Sequence, residues 1–126
     1  MVAAPMVAWP TTAAAQKYSP TDGTELFPGV RLVTLGSRDS MIPGYQSVFM
    51  EDVVFQPKGA IPLGDVMVDD MVCTITEGEL QITAGEMSFT AKDGDVWSCV
   101  KGSTTESATN NGAVPAIMRV INLKAA

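Results

Sequence analysis

Between Gly59 and Gly78 the chain reads GAIPLGDVMVDDMVCTITEG, and four of its side chains could do chemistry: Asp65, Met67, Met71 and Cys73. Asp65 is the candidate base or hydrogen-bond acceptor, because a carboxyl group drawn into an apolar pocket rises toward a useful pKa. The alternative is a local turn bond after Pro62-Leu63-Gly64. Met67, Met71 and Cys73 supply three soft donors, a set that suits Cu(I). The plainer reading is apolar filler, since methionine fits irregular cavities well. The chain holds no histidine. That absence removes the Ser-His-Asp triad, the Cys-His pair and every zinc site that needs imidazole. A general base must then be Asp, Glu, Cys, Lys or Tyr, and a nucleophilic Cys73 lacks the histidine that would lower its pKa.

Further candidates lie outside that run. Glu51 and Asp52 are adjacent, so strand parity puts them on opposite faces. An inward acid is costly unless it meets a base or a ligand, and Arg119 is a plausible partner. Two solvated edge charges are the other reading. Asp69 and Asp70 read as a solvated turn between strands. Trp97 shares parity with Cys99 and reads as core, with ligand stacking as the alternative. Cys73 and Cys99 are the only cysteines. They do not make a disulfide framework, and free buried thiols in a reducing compartment or a dithiol both remain open.

The elements that must position these groups read as strands. VRLVTL runs from Val30 to Gly36, YQSVFMEDVVF from Tyr45 to Phe55, and a short piece lies around Asp65 to Val68. MVCTIT, LQIT, MSFTA, DVWSCV and AIMRVINL follow, separated by turns at Glu77-Gly78, Ala84-Gly85, Lys92-Asp93-Gly94, Lys101-Gly102 and Asn110-Asn111-Gly112. Glycine turns between runs of Val, Ile, Thr and Phe predict an all-β sandwich or barrel. No stretch after Gly29 has helical period, so a parallel α/β sheet is excluded for lack of a crossover helix.

A length of 126 residues suits one domain. Its net charge of −6 opposes phosphate backbones, so no nucleic-acid partner is expected. No apolar run is long enough to span a bilayer, so no membrane partner is expected either. Residues 1–24, rich in Ala, Pro and Thr, read as a loosely held arm, and 25–126 as the folded domain. The Ala13-Ala14-Ala15 run also resembles a signal-peptidase site, although Pro5 and Pro10 break the apolar part and no basic residue precedes it. The expected location is cytoplasmic, with export as the alternative if residues 1–15 end a signal peptide.

The glycine spacing resembles that of the cupin superfamily, whose members are small jelly-roll barrels. The family's first motif has Gly, five residues, His-x-His, three or four residues, Glu, six residues and Gly; here the same spacing joins Gly59, Asp65-Val66-Met67, Met71 and Gly78. Its second motif has Gly, five residues, Pro-x-Gly, two residues, His, three residues and Asn; here it joins Gly94, Val100-Lys101-Gly102 and Thr105, with Thr109 at the last place and Asn110 one later. The glycines keep register, while Asp65, Met67, Met71 and Thr105 replace the family's four metal ligands. One carboxylate, two thioethers and a hydroxyl bind Fe, Mn, Ni or Zn weakly, so no metal and no cofactor are expected.

The resemblance implies a single-domain, all-β, cupin-like jelly-roll barrel with an irregular N-terminal arm, which forms a homodimer. Asp65 and Met67 would face its cavity, with Met71, Cys73 and Ile75 on the next strand. The expected function is binding of a small organic molecule in an apolar cavity, with Asp65, Met67, Met71, Cys73, Thr105, Trp97 and Arg119 as ligand-binding residues. Two alternatives stand beside it. One is an acid/base isomerase, lyase or hydrolase acting on a small polar substrate, with Asp65 as base and Thr105 or Arg119 stabilising developing charge. The other is a structural or regulatory dimer without a ligand.

Overall fold

Alternating apolar and polar residues make strands that bury one face, and strands of that kind need a second sheet to bury it against. The computed structural model describes residues 17–126, and among them there is no helix. The strands are β1 (Thr24–Phe27), β2 (Val30–Asp39), β3 (Tyr45–Phe55), β4 (Ala60–Ile61), β5 (Asp70–Glu77), β6 (Leu80–Ala84), β7 (Met87–Ala91), β8 (Val96–Cys99), β9 (Glu106–Thr109) and β10 (Ala116–Ala125). They form a six-stranded sheet in the order β1-β2-β3-β10-β5-β8 and a four-stranded sheet in the order β4-β9-β6-β7. All strand pairs are antiparallel. Long connections between β3 and β10 and between β5 and β8 make the crossed order of a jelly roll.

The core lies between the sheets. Val53 and Phe55 of β3, Cys73 and Ile75 of β5, and Met118 and Val120 of β10 meet Leu80 and Ile82 of β6 there. Phe89 and Trp97 touch edge to face, with ring centroids 5.6 Å apart. Burying a side chain such as Phe55, which has no exposed surface, contributes about 2–3 kcal/mol.

Two contacts hold the ends of the sheets in register. Asn110 is buried, and its side-chain amide donates to the Phe55 carbonyl at 3.0 Å and to the Val114 carbonyl at 2.9 Å. This ties the end of β3 to the turn between β9 and β10. Gly78, in the turn between β5 and β6, has φ +72°, and a Cβ there would sit 2.7 Å from the Pro115 carbonyl oxygen. Only glycine satisfies both conditions.

Several boundaries differ from the sequence reading. The second strand continues past Gly36 to Asp39, because a register shift between Thr34 and Gly36 absorbs the glycine. Strands β1 and β9 were not expected, since TELF and ESAT are too short and polar to stand out. Conversely, Asp65 to Val68 is not a strand. It crosses one end of the barrel beside the turn after β8, held by backbone bonds Gly64 to Thr104, Met67 to Ser103 and Gly102 to Met67. With no ladder to join, it stays irregular. Of the N-terminal arm, residues 1–16 lie outside the described residues, as do the possible cleavage site and Trp9; residues 17–23 are irregular.

Candidate functional site

A cavity of about 170 Å³ opens between the two sheets. A water needs roughly 10–15 Å³ on this measure, so the space suits a molecule of several heavy atoms. Strand alternation decides which side chains reach it. Met71 and Cys73 of β5 line the cavity, and their neighbours Cys99 and Trp97 on β8 line it in register. Met118, Val120 and Asn122 enter from β10, and Glu51 and Val53 from β3. Glu106 and Ala108 of β9 close it from the smaller sheet. Asp65, Met67 and Val68 lie at its mouth, on the irregular crossing segment.

The geometry thus brings together Asp65, Met67, Met71, Cys73 and Trp97. It does not bring in Thr105 or Arg119. Thr105 is exposed and pairs locally with Ser103 at 3.1 Å, while its neighbour Glu106 takes the inward position by parity. Arg119 lies one residue from Met118 and Val120 and so faces the outer side of the large sheet. There its guanidinium donates to both Asp52 carboxylate oxygens, from Nε at 2.9 Å and from NH2 at 3.1 Å. Asp52 is therefore neither a solvated edge charge nor the inward acid. It is fully buried beneath Tyr18, whose hydroxyl donates to it at 2.6 Å, and Lys17 stands 3.5 Å away.

The inward acid is Glu51, and its partner is Asn122, whose amide donates to Glu51 Oε1 at 2.9 Å. Asn122 and Glu106 are not among the ligand-binding residues expected from the sequence, which gives the contact at the vacated fourth ligand position to Thr105 rather than to Glu106 beside it. Parity with Val53 and Phe55 could have chosen Glu51 over Asp52, and parity with Ala108 could have chosen Glu106 over Thr105.

The electrostatics follow from these surroundings. Burial raises the Glu51 pKa, and the Asn122 hydrogen bond only partly offsets it. On the other face burial would raise Asp52 too, but the hydrogen bonds from Arg119 and Tyr18 outweigh it and hold the carboxyl below its ordinary value. Tyr18 itself is pushed up to about 12, by burial first and then by its bond to Asp52. Cys73 and Cys99 are free and interact across the strands. Contact with Cys99, then burial, pushes the Cys73 thiol up, while the same contact draws Cys99 down. Of the two, Cys73 is the one favoured as a thiol, the form that is a poor nucleophile.

One group in the cavity is left unsatisfied. Glu106 is about nine-tenths buried, and its Oε1 has no hydrogen-bond partner among the described residues. A buried acceptor left in this state costs about 1–3 kcal/mol. The cavity wall does not fit the divalent metal that the resemblance would otherwise imply. Among the described residues no three His, Cys, Asp or Glu side chains converge as ligands. The sulfurs lie on the large sheet and the crossing segment, while the carboxyls of Glu51, Asp65 and Glu106 come from the large sheet, the mouth and the small sheet in turn.

No protein-family profile matches the chain, and no curated protein matches it significantly in sequence. Solved structures do match. A sugar phosphate isomerase of the cupin superfamily from Silicibacter pomeroyi aligns with a TM-score of 0.61 at 20% identity, over 78% of this chain and 61% of that one. An RmlC-like cupin from Shewanella frigidimarina aligns with a TM-score of 0.63 at 12% identity, over 86% and 88%. KdgF from Halomonas sp. aligns with a TM-score of 0.62 at 11% identity, over 82% and 86%. This chain therefore spans about three-fifths of the isomerase's length. Identities this low carry no substrate across, but the agreement of shape over most of the chain is enough for the architecture: the chain has the cupin fold.

Proposed function

We propose that this barrel binds a small organic molecule in the cavity between its sheets, without a metal. The observation that carries the reading is Glu106: a buried carboxyl oxygen with no partner among the described residues, lining a largely apolar, sulfur-rich space. Buried polar atoms are nearly always hydrogen-bonded, and the space beside this one has room for a ligand to supply the bond. In this reading Glu51, Asn122 and Glu106 orient the ligand's polar end, while Met67, Met71 and Met118 pack against the rest. Asp65 guards the mouth. A cavity left open between the sheets weighs against a purely structural role.

Thermal-shift screening against a panel of small neutral, cationic and anionic organic molecules tests it. A true ligand at a hundred times its Kd adds about 2.7 kcal/mol of stability and raises the Tm. A Met71→Trp variant, which fills the cavity, should lose that rise. If no compound raises the wild-type Tm more than that of the variant, the reading fails.

A second reading is favoured by the raised pKa of Glu51. A cavity carboxyl of that kind suits proton transfer on a bound substrate. Here the base would be Glu51 or Asp65, and product formation from a ligand found in the screen separates catalysis from binding. As a further part of the proposal, the protein forms a homodimer through the edge of β8, where the large sheet ends and which no other strand among the described residues pairs.

A further inference from the structure

The charge inventory of the cavity narrows the ligand class, an inference that rests on the binding role proposed above. Three carboxyl groups line the space, Glu51, Asp65 and Glu106, and among the described residues no lysine or arginine does. The arginine nearest in sequence to the β10 wall residues, Arg119, is turned to the opposite face and held there by Asp52. Lys17 is drawn to the same carboxylate. Arg119 and Lys17 are thus both held on the outer side of the large sheet, away from the cavity.

The consequences differ by ligand charge. A carboxylate or phosphate entering the cavity past Asp65 would lose its hydration beside Glu51 and Glu106, with no lysine or arginine among the lining residues. A neutral hydroxyl could satisfy Glu106 Oε1 with a single donor. An ammonium offers three N–H donors on a compact charge, and hydrogen bonds between ionised partners are roughly twice as strong as neutral ones. It can satisfy the orphaned Glu106 oxygen and still donate elsewhere in the same cavity, where Glu51 already spends Oε1 on Asn122. Most of the remaining wall, Val53, Met71, Met118 and Val120 among others, offers apolar contact, with Thr83 and Ser107 as the neutral polar exceptions beside Asn122. It suits an alkyl or aromatic tail of a few carbons.

We infer that the cavity takes a small primary amine, its ammonium group bonded to Glu106 and its apolar tail packed against the methionine-rich wall. The assignment sets this chain apart from a sugar-phosphate site, because the phosphate would have no counter-charge.

Three probes of equal length test it: n-pentylamine, 1-pentanol and pentanoate, titrated calorimetrically into the full chain at neutral pH. The expected result is pentylamine binding at least ten-fold tighter than pentanol, with pentanoate not binding. Glu106→Gln should weaken pentylamine at least ten-fold and change pentanol less than two-fold. Should that variant fail to fold by circular dichroism, Glu51→Gln is read in the same way.

Pentanol or pentanoate binding as tightly as pentylamine overturns the amine assignment and leaves the binding role standing. Pentylamine binding that neither variant weakens overturns it as well. If none of the three probes binds, the amine assignment falls, and the binding role then stands or falls on the broader thermal-shift panel.

Discussion

Glu51 and Asp52 are one residue apart, yet their surroundings give them opposite effects on stability. Asp52 has a lowered folded pKa, so its contribution is present above the ordinary aspartate value of 3.8 and is lost as pH falls through the folded value. Asp52→Asn should therefore destabilise the protein at neutral pH by about 2–3 kcal/mol, discounted from a fully buried pair because Arg119 is partly exposed, and should flatten the acid limb of the stability curve. Glu51 has a raised folded pKa, so folding is favoured below its ordinary value of 4.5 and that advantage is lost as pH rises through the folded value. Glu51→Gln should gain stability at neutral pH, with a flatter curve above the ordinary glutamate value. Urea denaturation across a pH series checks both. A Glu51→Gln variant less stable than wild type at neutral pH would show that the Asn122 bond outweighs burial. Side-chain direction was the legible part here: alternation alone separates Glu51 from Asp52. What filled the outer face was not legible, because the contact between Tyr18 and Asp52 spans 34 residues and leaves no local pattern.

At the scale of elements, the long strands were readable because their apolar alternation is sustained. Tyr45–Phe55 and Met87–Ala91 match their expected bounds. The crossing segment from Asp65 to Val68 misled, since Val66 and Val68 look strand-forming but are exposed, at 54% and 69%. Propensity describes fit to a pleated, half-buried surface, and here there is none. Glycine punctuation was more dependable, and two positions test its meaning. Gly78→Ala combines φ +72° with a backbone clash at 2.7 Å, and should cost about 3 kcal/mol or more. Gly85→Ala has φ +64° but open space around the added carbon, so it should cost only about 1–2 kcal/mol. Urea midpoints at unchanged slope separate the two. Equal costs would mean that the Pro115 carbonyl yields easily and that Gly78 matters only for its dihedral.

For the whole molecule, the spacing of Gly59, Gly78 and Gly94 was enough to suggest the barrel, because a jelly roll's turns fix where its strands can cross. The pocket's contents were only partly legible: the sulfur wall followed from the motif, whereas the acid at Glu106 stood one residue from the position expected to face inward. The large sheet ends at β8, and its outer face carries apolar groups in register. Val72 pairs opposite Ser98, and Val96 and Val100 flank that position; the three valines are 36%, 67% and 62% exposed. A sheet edge with no pairing strand among the described residues, next to exposed valines, is a liability that a second copy can cover by a two-fold symmetric contact. Sedimentation of the full chain should give twice its 13.3 kDa mass at micromolar concentration. Replacing Val96 and Val100 with lysine should return it to a single chain, without loss of strand signal in circular dichroism, because both side chains point away from the core. A wild-type chain that sediments as a monomer at that concentration would rule out the dimer, while a double variant that remains dimeric would move the contact away from β8.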